Sequence, residues 1–335
     1  MDIFDLSDTG RREAAIEAAV AALAAGRLVA LPTETVYGLG ADATDGRAVA
    51  GIYAAKGRPS FNPLIAHVPD LAGAEAHGVF DADARRLAAA FWPGPLTLIV
   101  PKRPDSPICD LATAGLDSVG LRVPAQATTR AILSRFGRPV AAPSANRSGR
   151  ISPTRAADVA EDLGEAVSVI VDAGPCPVGV ESTIVACLDG RVRLLRPGGV
   201  TRAAIEAVIG RPLDVVTVAD VAIAPQPGEA KPLAPGLLTS HYAPQAGVRL
   251  DVDEVAPGEA LLTFAGRRPS GTEAARAVVD LSPSGDVAEA AAHLFGALRE
   301  LDASGATTIA VVPLPGDGLG EAIGDRLRRA AAPRS

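Results

Sequence analysis

Residues 31–67 read LPTETVYGLGADATDGRAVAGIYAAKGRPSFNPLIAH, and this stretch predicts how the chain around it is arranged. An apolar strand at 28–31 ends in a threonine-rich turn, and an alanine-rich helix at 47–56 follows. The cluster Lys56-Gly57-Arg58-Pro59 then leads into a second strand at 63–68. Polar groups that can hold a small amino acid therefore bracket two cations suited to phosphates, which indicates one half of an active site. These polar groups are Thr33, Thr35 and His67.

Helix and strand patterns alternate over the first part of the chain. Good helix formers with an apolar spacing near 3.6 residues predict helices at 11–25, 81–91, 126–136, 154–163 and 201–209. Apolar segments between the helices predict buried strands, two of which pair across Asp189-Gly190. Because strands and helices are mixed throughout, we predict one α/β domain with a largely buried sheet.

The composition changes between Val215 and Gly247, where prolines interrupt a segment that has little periodicity. Such a segment is typical of a semi-extended linker, although a mere spacer has no need of the pair His241-Tyr242. From Val248 the patterns resume over a length typical of a small α/β domain, with a long helix at 286–302. We therefore predict a first domain at 1–214, a proline-rich linker or lid at 215–247 and a C-terminal domain at 248–335.

Composition argues against several classes of protein. With 48% hydrophobic and 21% charged residues, the chain is typical of a globular protein. No apolar run approaches the roughly 18 residues of a membrane-spanning helix, and the start MDIFDLSD lacks the features of a secretory signal. Cys109, Cys176 and Cys187 contain no C-x-x-C pair, which argues against a disulfide framework or a cysteine-rich zinc site. We predict a cytoplasmic protein with no membrane partner.

The net charge of −7 argues against a protein coated with nucleic acid. Residues 1–214 carry 22 basic and 24 acidic residues, a net charge of −2, so basic residues do not outnumber acidic ones there. The basic residues of this part are grouped around particular motifs. Only three lysines and two asparagines occur beside 29 arginines. Because a lysine is a point charge and an arginine a planar fork, we expect Lys56, Asn62 and Asn146 where their particular chemistry is needed.

Two clusters are candidates for binding phosphates. Lys56 and Arg58 flank Gly57, which lets the loop backbone approach a ligand closely; the alternative is a pair of solvated cations favoured by the helix dipole. The loop 143–149 (PSANRSG), with Ser152 soon after it, supplies hydroxyls, an amide and Arg147. The alternative for this loop is ordinary turn geometry.

Two further arginines lie at the ends of predicted strands. Arg122 in GLRVP faces either solvent or a cleft, and a buried arginine there needs a carboxylate partner, which a substrate could supply. Arg196 in LLRPGG follows the cluster Glu181-Ser182-Thr183. The H-E-x-x-H, G-x-S-x-G and G-x-x-x-x-G-K-[ST] motifs do not occur. The segment GLGADA lacks the strand spacing and the acidic residue of a dinucleotide-binding site.

Six motifs occur in the order PTETVYGLG, KGRPxxNPL, GLRVP, PSANRSG, ESTIV and LRPG. Together they resemble the threonylcarbamoyl-AMP synthase family, and the resemblance covers nearly all of residues 11–210. It implies a YrdC-like catalytic domain, in which a twisted mixed sheet and helices surround a large cavity. The sequence APGLLTSHYAP and the following α/β segment are similar to the long form of the family, which adds a small Rossmann-like C-terminal domain.

The resemblance implies that L-threonine, bicarbonate and ATP give threonylcarbamoyl-AMP and pyrophosphate, with Mg²⁺ accompanying ATP. Lys56 and Arg58 are the implied catalytic residues, and no side chain is an evident nucleophile or metal ligand. Catalysis would then be mainly positioning and charge neutralisation. The implied threonine-binding residues are Thr35, His67, Arg122, Ala142 and Ser182. The implied ATP-binding residues are Lys56, Arg58, Asn62, Ser118, Ser144, Asn146, Ser152, Arg196 and Tyr242.

The same resemblance implies a place in tRNA threonylcarbamoyladenosine synthesis, with the product handed to a tRNA threonylcarbamoyl-transfer machinery. A direct contact with tRNA does not follow from it. One alternative is an RNA-binding module without adenylylation activity, which the net charge of −2 over residues 1–214 disfavours. The other is a carbamoyl-AMP-forming relative related to hydrogenase maturation, whose cysteine-rich zinc segments are not matched by three scattered cysteines.

Overall fold

The computed structural model describes residues 1–215 and 241–333 of the 335-residue chain. The linker predicted at 215–247 therefore lies outside the described residues except at its two ends.

Residues 1–215 contain one mixed sheet of 11 strands. In chain order these are β1 (Asp2–Asp5), β2 (Val29–Leu31), β3 (Gly38–Asp42), β4 (Ile65–His67), β5 (Leu96–Pro101), β6 (Ser118–Arg122), β7 (Val140–Ala141), β8 (Val169–Asp172), β9 (Thr183–Leu188), β10 (Arg191–Arg196) and β11 (Asp214–Val215). Across the sheet they run β1-β8-β2-β3-β7-β4-β6-β5-β9-β10-β11. Because β4 lies parallel to β6, His67 stands opposite Arg122.

Helices connect these strands, and their ends agree with the sequence prediction to within two residues where a helix is predicted. Polar caps account for several starts: Asp45 accepts a hydrogen bond from the Arg47 amide at 2.8 Å, and Thr201 accepts one from the Ala204 amide at 3.3 Å. The helices are α1 (Arg12–Ala24), α2 (Gly46–Lys56), α3 (Leu71–Glu75), α4 (Ala82–Phe91), α5 (Asp110–Thr113), α6 (Ala127–Phe136), α7 (Ala156–Leu163) and α8 (Arg202–Ile209).

A second, smaller sheet follows residue 241. Its strands are β12 (Gly247–Arg249), β13 (Ala260–Thr263), β14 (Val278–Asp280) and β15 (Thr308–Val311), in the order β12-β15-β13-β14 with parallel pairing throughout. Helices α9 (Val287–Ala303) and α10 (Leu319–Ala331) pack on this sheet. The predicted fold class, a YrdC-like mixed sheet joined to a small Rossmann-like α/β unit, is confirmed. None of the described helices combines the length and the apolarity that crossing a bilayer requires.

Strand β3 is the main difference from the sequence prediction. Its sequence GLGAD predicts no strand because glycine is depleted in strands, yet all five residues are buried between β2 and β7. A bridge between Gly38 and Ser144 continues this pairing and brings the threonine-rich turn beside the loop 143–149. The shorter elements β1, β11, β14, α3 and α5 are also absent from the prediction, because they are too short to show a period.

The two sheets share an apolar core at their interface. Val36, Ile151 and Val180 of the first part belong to the same buried cluster as the inner face of α9. Gly179 has a φ of +73° and approaches α9 so closely that an added Cβ would lie 2.4 Å from the Ala291 carbonyl oxygen. The loop between β8 and β9 is therefore packed directly against the C-terminal domain.

Candidate active site

One cavity collects most of the predicted site residues. It is lined by residues of β4, by the end of β6, by the segment that follows β7 and by the loop that precedes β9. Eight predicted residues line it, whereas Thr35, Lys56, Asn62, Ser118, Asn146 and Ser152 are not in its lining. The lining residues are Val36, Arg58, Ile65, His67, Arg122, Ala142, Pro143, Ser144, Glu181, Ser182, Arg196, His241 and Tyr242.

Arg122 is buried at the end of β6 and forms an ion pair with Glu34. The Arg122 Nη2 to Glu34 Oε1 distance is 2.5 Å, and the other carboxylate oxygen accepts a hydrogen bond from the Ala125 amide at 2.8 Å. The Nε of Arg122 makes no hydrogen bond to any described residue. Because a buried donor without a partner is costly, this spare donor indicates a ligand that completes the arginine. The protein thus supplies one carboxylate to Arg122 and leaves its Nε without a partner among the described residues.

His67 stands next to Arg122 in the sheet and is uncharged. Burial and the charge of Arg122 lower the pKa of His67 to about 3, so the ring is neutral near pH 7. Its Nδ1 lies 3.3 Å from the Ile65 carbonyl oxygen, which also accepts a hydrogen bond from the Ala142 amide at 3.0 Å. One carbonyl therefore fixes both the His67 ring and the Ala142 backbone at the cavity wall.

The threonine-rich turn holds two hydroxyls together just behind the lining. The Thr33 hydroxyl donates to the Val36 carbonyl at 2.6 Å and lies 2.8 Å from the Thr35 hydroxyl. Since the single proton of Thr33 goes to Val36, Thr35 donates to Thr33 and keeps its lone pairs for another partner. Thr35 is fully buried and directly precedes Val36 of the cavity lining.

Arg196 and Ser182 form one unit on the opposite wall. The Nε and Nη2 of Arg196 donate to the Ser182 carbonyl at 3.2 and 2.9 Å, and Nη2 lies 3.3 Å from the Ser182 hydroxyl. The Thr97 hydroxyl lies 2.8 Å from that of Ser182. A predicted nucleotide contact and a predicted threonine contact are thus in direct contact, which places the two halves of the site next to each other.

Arg58 brings a second buried cation to the cavity. Its Nη2 donates to the Pro63 carbonyl at 3.1 Å, and its Nε to the Asn62 carbonyl at 3.4 Å, so the guanidinium fixes the loop that it belongs to. Burial lowers the pKa of Arg58 to about 10, which still leaves it protonated near pH 7. The Asn62 Oδ1 is buried and has no hydrogen-bond partner among the described residues.

Lys56 lies behind the cavity and binds the loop 143–149. Its ammonium donates to the Ser144 carbonyl at 2.6 Å and to the Asn146 carbonyl, and the Asn146 amide group in turn donates to the Arg147 and Arg150 carbonyls at 2.8 Å. Burial and the nearby Arg58 lower the pKa of Lys56 well below its usual value. The structure therefore places Lys56 and Asn146 where they hold Ser144 in the cavity wall.

Gly57 explains how the chain leaves α2. It has a φ of +61° and ends the helix in the left-handed region that glycine adopts without strain. No described protein atom lies within 4 Å of a Cβ added there. Close approach of this backbone to a ligand stays a prediction. The backbone conformation, and not the space, requires glycine.

Ser152 and Ser118 occupy different positions relative to the cavity. The Ser152 hydroxyl is fully buried and donates to Glu181 Oε1 at 2.5 Å. Ser118 begins β6, four residues before Arg122, and the parallel register that pairs Ile65 with Gly120 sets it beside the loop of Asn62. Ser118 is therefore on the side of Asn62 and Arg58.

His241 and Tyr242 fill much of the cavity from the end of the undescribed segment. Their rings are 4.1 Å apart, and Tyr242 stacks on Phe295 of α9 at 5.7 Å. Tyr242 has a φ of +63°, an uncommon and strained value for a bulky residue, and its hydroxyl has no partner among the described residues. The cavity keeps only about 50 Å³ of free volume, well below the roughly 300 Å³ at which ligand pockets begin.

Four residues of the site region have no role in the sequence prediction. Glu34 and Glu181 belong to the quoted motifs, and His241 directly precedes Tyr242. These motifs indicate that the three residues are close to the site, but they do not indicate which residues they contact. Arg326 lies on α10, in no quoted motif, and donates to Glu181 Oε2 at 2.6 Å. Nothing local to Arg326 in the sequence indicates this contact, because it joins residues 145 positions apart.

Comparisons with known proteins agree with this architecture. The family model described as "Telomere recombination" matches residues 21–198, and the one described as "Threonylcarbamoyl-AMP synthase, C-terminal domain" matches residues 200–332. A threonylcarbamoyl-AMP synthase of Bacillus subtilis is 41% identical, over 95% of this chain and 93% of that protein. One of Pyrococcus abyssi is 40% identical, over 92% of each.

A solved structure shows the same arrangement of both sheets. The crystal structure of P. abyssi Sua5 complexed with L-threonine superposes with a TM-score of 0.83 at 37% identity, covering 94% of both chains. The family models match both parts of the chain, and the two relatives match it over most of its length. The chain belongs to the threonylcarbamoyl-AMP synthase family.

Proposed function

We propose that this chain synthesises threonylcarbamoyl-AMP from L-threonine, bicarbonate and ATP and releases pyrophosphate. Beyond family membership, one observation carries the proposal: Arg58, Arg122 and Arg196 converge on a single buried cavity. Charges act more strongly on a ligand in such a site than in water. Three arginines suit a pair of substrates that bring a carboxylate and a triphosphate together.

Arg122 binds the carboxylate of threonine in this proposal. Glu34 keeps the guanidinium in place, and the unpaired Nε adds a donor toward the ligand. The P. abyssi protein was crystallised with L-threonine, which supports an amino-acid site in this fold. The neutral His67 ring contacts threonine without repelling its ammonium group. The remaining threonine contacts are Thr35, Ser182 and the backbone of Ala142.

ATP occupies the side of the cavity formed by Arg58 and Arg196. These cations neutralise charge on the phosphates, while Lys56 and Asn146 act by holding the loop that carries Ser144. Threonine's neutral amine and bicarbonate form a carbamate with loss of one water, a carbamate oxygen attacks the α-phosphorus, and pyrophosphate leaves. Positioning and charge neutralisation then supply the catalysis, as in other phosphoryl transfers. The remaining nucleotide contacts are Asn62, Ser118, Ser152 and Tyr242.

Mg²⁺ enters this proposal bound to ATP. In proteins it is usually held by one or two carboxylates together with substrate phosphates. Here Glu34 pairs with Arg122 and Glu181 with Arg326, so the described residues around the cavity offer it no free carboxylate. The ion therefore stays on the triphosphate, and no protein ligand is assigned to it.

Substrate entry requires His241 and Tyr242 to move. The two rings line a cavity with about 50 Å³ free, too little for the substrates. We propose that His241 and Tyr242 move out for ATP and return over it, with Tyr242 then contacting the nucleotide. The labile product passes to a tRNA threonylcarbamoyl-transfer machinery.

Pyrophosphate release with each substrate omitted in turn tests the proposed reaction. Release should require ATP, L-threonine and bicarbonate together. Release from ATP without threonine or without bicarbonate would show that the chain performs another adenylylation, such as carbamoyl-AMP formation. Salt-dependent RNA binding with no release under any condition would favour the RNA-binding alternative.

A further inference from the structure

Arg326 of α10 is the bulkiest of the fully buried side chains among the described residues. Every nitrogen of its guanidinium has a partner: Nε donates to Glu181 Oε2 at 2.6 Å, Nη1 to Asp325 Oδ2 at 2.6 Å and Nη2 to the Pro197 carbonyl at 3.0 Å. Two of these three partners belong to the first domain. Arg326 thus reaches out of the C-terminal domain into the catalytic one.

Both of these partners are next to residues of the candidate site. Glu181 precedes Ser182, and its second oxygen accepts the hydrogen bond from the Ser152 hydroxyl. Pro197 follows Arg196, which donates to the Ser182 carbonyl. One guanidinium therefore connects the two segments that carry Ser182 and Arg196, and through Glu181 it also fixes Ser152.

Arg326 also contacts Tyr242, which lines the cavity. Its guanidinium carbon lies 5.1 Å from the centre of the Tyr242 ring, and the same ring stacks on Phe295 of α9. Tyr242 is therefore held by both helices of the C-terminal domain. The same arginine contacts the wall of the site and the residue that covers it.

Docking of the two domains does not need a buried arginine. The apolar cluster at the interface and the ion pair between Arg299 and Asp162, at 2.7 Å, already join them. A buried ion pair often stabilises less than well-packed apolar residues would, because both charges lose their hydration. The cost is better explained by what the pair positions.

We propose that Arg326 is a positioning residue through which the C-terminal domain takes part in catalysis. By binding Glu181 and the Pro197 carbonyl it holds Ser152, Ser182 and Arg196 in register, and by contacting Tyr242 it fixes that ring at the cavity. This inference rests on the proposed function, and it assigns the second domain a direct task in the reaction.

The pH dependence of the reaction distinguishes positioning from simple domain docking. It depends on the charge of Glu181, which a merely structural role of Arg326 would not change. Burial alone would raise the pKa of Glu181, but Arg326 and Arg196 outweigh it and lower that pKa to about 2. The other titratable groups that interact with this carboxylate are His241 and Tyr242, and Asp325 of α10 interacts with its partner Arg326. Without Arg326 the pKa of Glu181 rises, and the carboxylate ionises within the working pH range beside the phosphates of ATP.

The test measures kcat and KM for threonine and ATP, by pyrophosphate release, in the full-length Arg326→Met variant between pH 6 and 9. We expect kcat to fall by roughly tenfold or more, with smaller changes in KM, and kcat/KM to fall further as pH rises. Arg326→Lys should recover part of kcat, because it keeps a cation beside Glu181. Arg328→Met, two residues along the same helix and exposed, should behave as wild type.

Two results would overturn the proposal: wild-type kinetics in Arg326→Met, or a loss of rate that matches the loss of folded protein and leaves the pH profile unchanged. If Arg326→Met does not fold, the double variant Arg326→Met/Glu181→Gln removes the unpaired charge. It should fold, remain slow and show no added pH dependence, and wild-type kinetics in it would equally refute the idea. A wild-type chain that fails the substrate-omission test refutes the proposed function itself, independently of Arg326.

Discussion

Among the described residues, the site contains two buried arginine–carboxylate pairs. One lies within the first domain, and the other joins the two domains. Arg122 and Glu34 both belong to the first domain, and Arg122 keeps an unpaired Nε. Arg326 and Glu181 join the two domains, and all three guanidinium nitrogens of Arg326 are bonded. An arginine with a spare donor is prepared for a ligand, whereas one with every donor used holds protein parts together. The comparison separates binding residues from positioning residues.

Removal of Arg122 should have the largest effect. In Arg122→Ala the threonine carboxylate loses its charge-assisted contacts, worth about 1.5–3 kcal/mol each, and Glu34 is left as a buried unpaired charge. We expect kcat/KM for threonine to fall by about a hundredfold or more in the pyrophosphate assay. Arg135→Ala, an exposed arginine of α6, is the control.

The double variant Arg122→Met/Glu34→Gln separates binding from folding in this experiment. It removes the unpaired carboxylate and should restore stability without restoring threonine binding. Recovery of the wild-type KM for threonine in the double variant would contradict the assignment of Arg122 to the substrate carboxylate.

Lys56 differs from both arginines because its hydrogen bonds go to backbone carbonyls and not to a carboxylate. Lys56→Arg keeps the charge but places a larger, planar group against Ser144 and Asn146, and overpacking of this kind costs about 1–3 kcal/mol. We expect kcat/KM for ATP to fall by roughly tenfold or more, as the loop 143–149 shifts. Lys102→Arg, whose lysine is paired with Asp110 on the surface, should have no effect. Wild-type kinetics in Lys56→Arg would show that the ammonium shape is not needed.

The acid stability of the protein tests the second ion pair. Because the pKa of Glu181 is lowered to about 2, its ionised form stabilises the folded state above pH ~4.5, and this contribution is lost as pH falls toward 2. The difference in free energy of unfolding between wild type and Glu181→Gln should shrink as pH falls from 6 toward 2, by up to about 3 kcal/mol. Glu13→Gln, at an exposed pair, is the control. A stability difference that does not change with pH would contradict the charge assignment.

The smallest effect is expected for the titration of His67, which should not change activity between pH 5.5 and 8. Burial and Arg122 lower the pKa of His67 to about 3, so the ring stays neutral from pH 5.5 to 8 and becomes charged only as pH falls toward 3. The dependence of kcat/KM for threonine on pH should therefore show no step near 6.5 that His67→Gln removes. Such a step would mean that His67 is protonated beside Arg122.

Local patterns predict the elements and most of the lining, while partners distant in sequence escape them. Compact motifs next to strand ends predict Arg122, Ser182 and Arg196, and all three line the cavity. Glu34 and Arg326 were not predicted as partners, since those contacts depend on how strands and domains pack. The prediction also missed β3, whose glycines conceal a fully buried strand. Lys56 was expected among the phosphates, and the structure places it against the loop that supports Ser144.

The most direct measurement of the central claim is the ratio of two products from one reaction. Wild-type chain with ATP, L-threonine and ¹⁴C-labelled bicarbonate should form one labelled threonylcarbamoyl-AMP for each pyrophosphate released, and Arg122→Ala should lose both together. Pyrophosphate released without matching label, or with threonine omitted, would contradict the account.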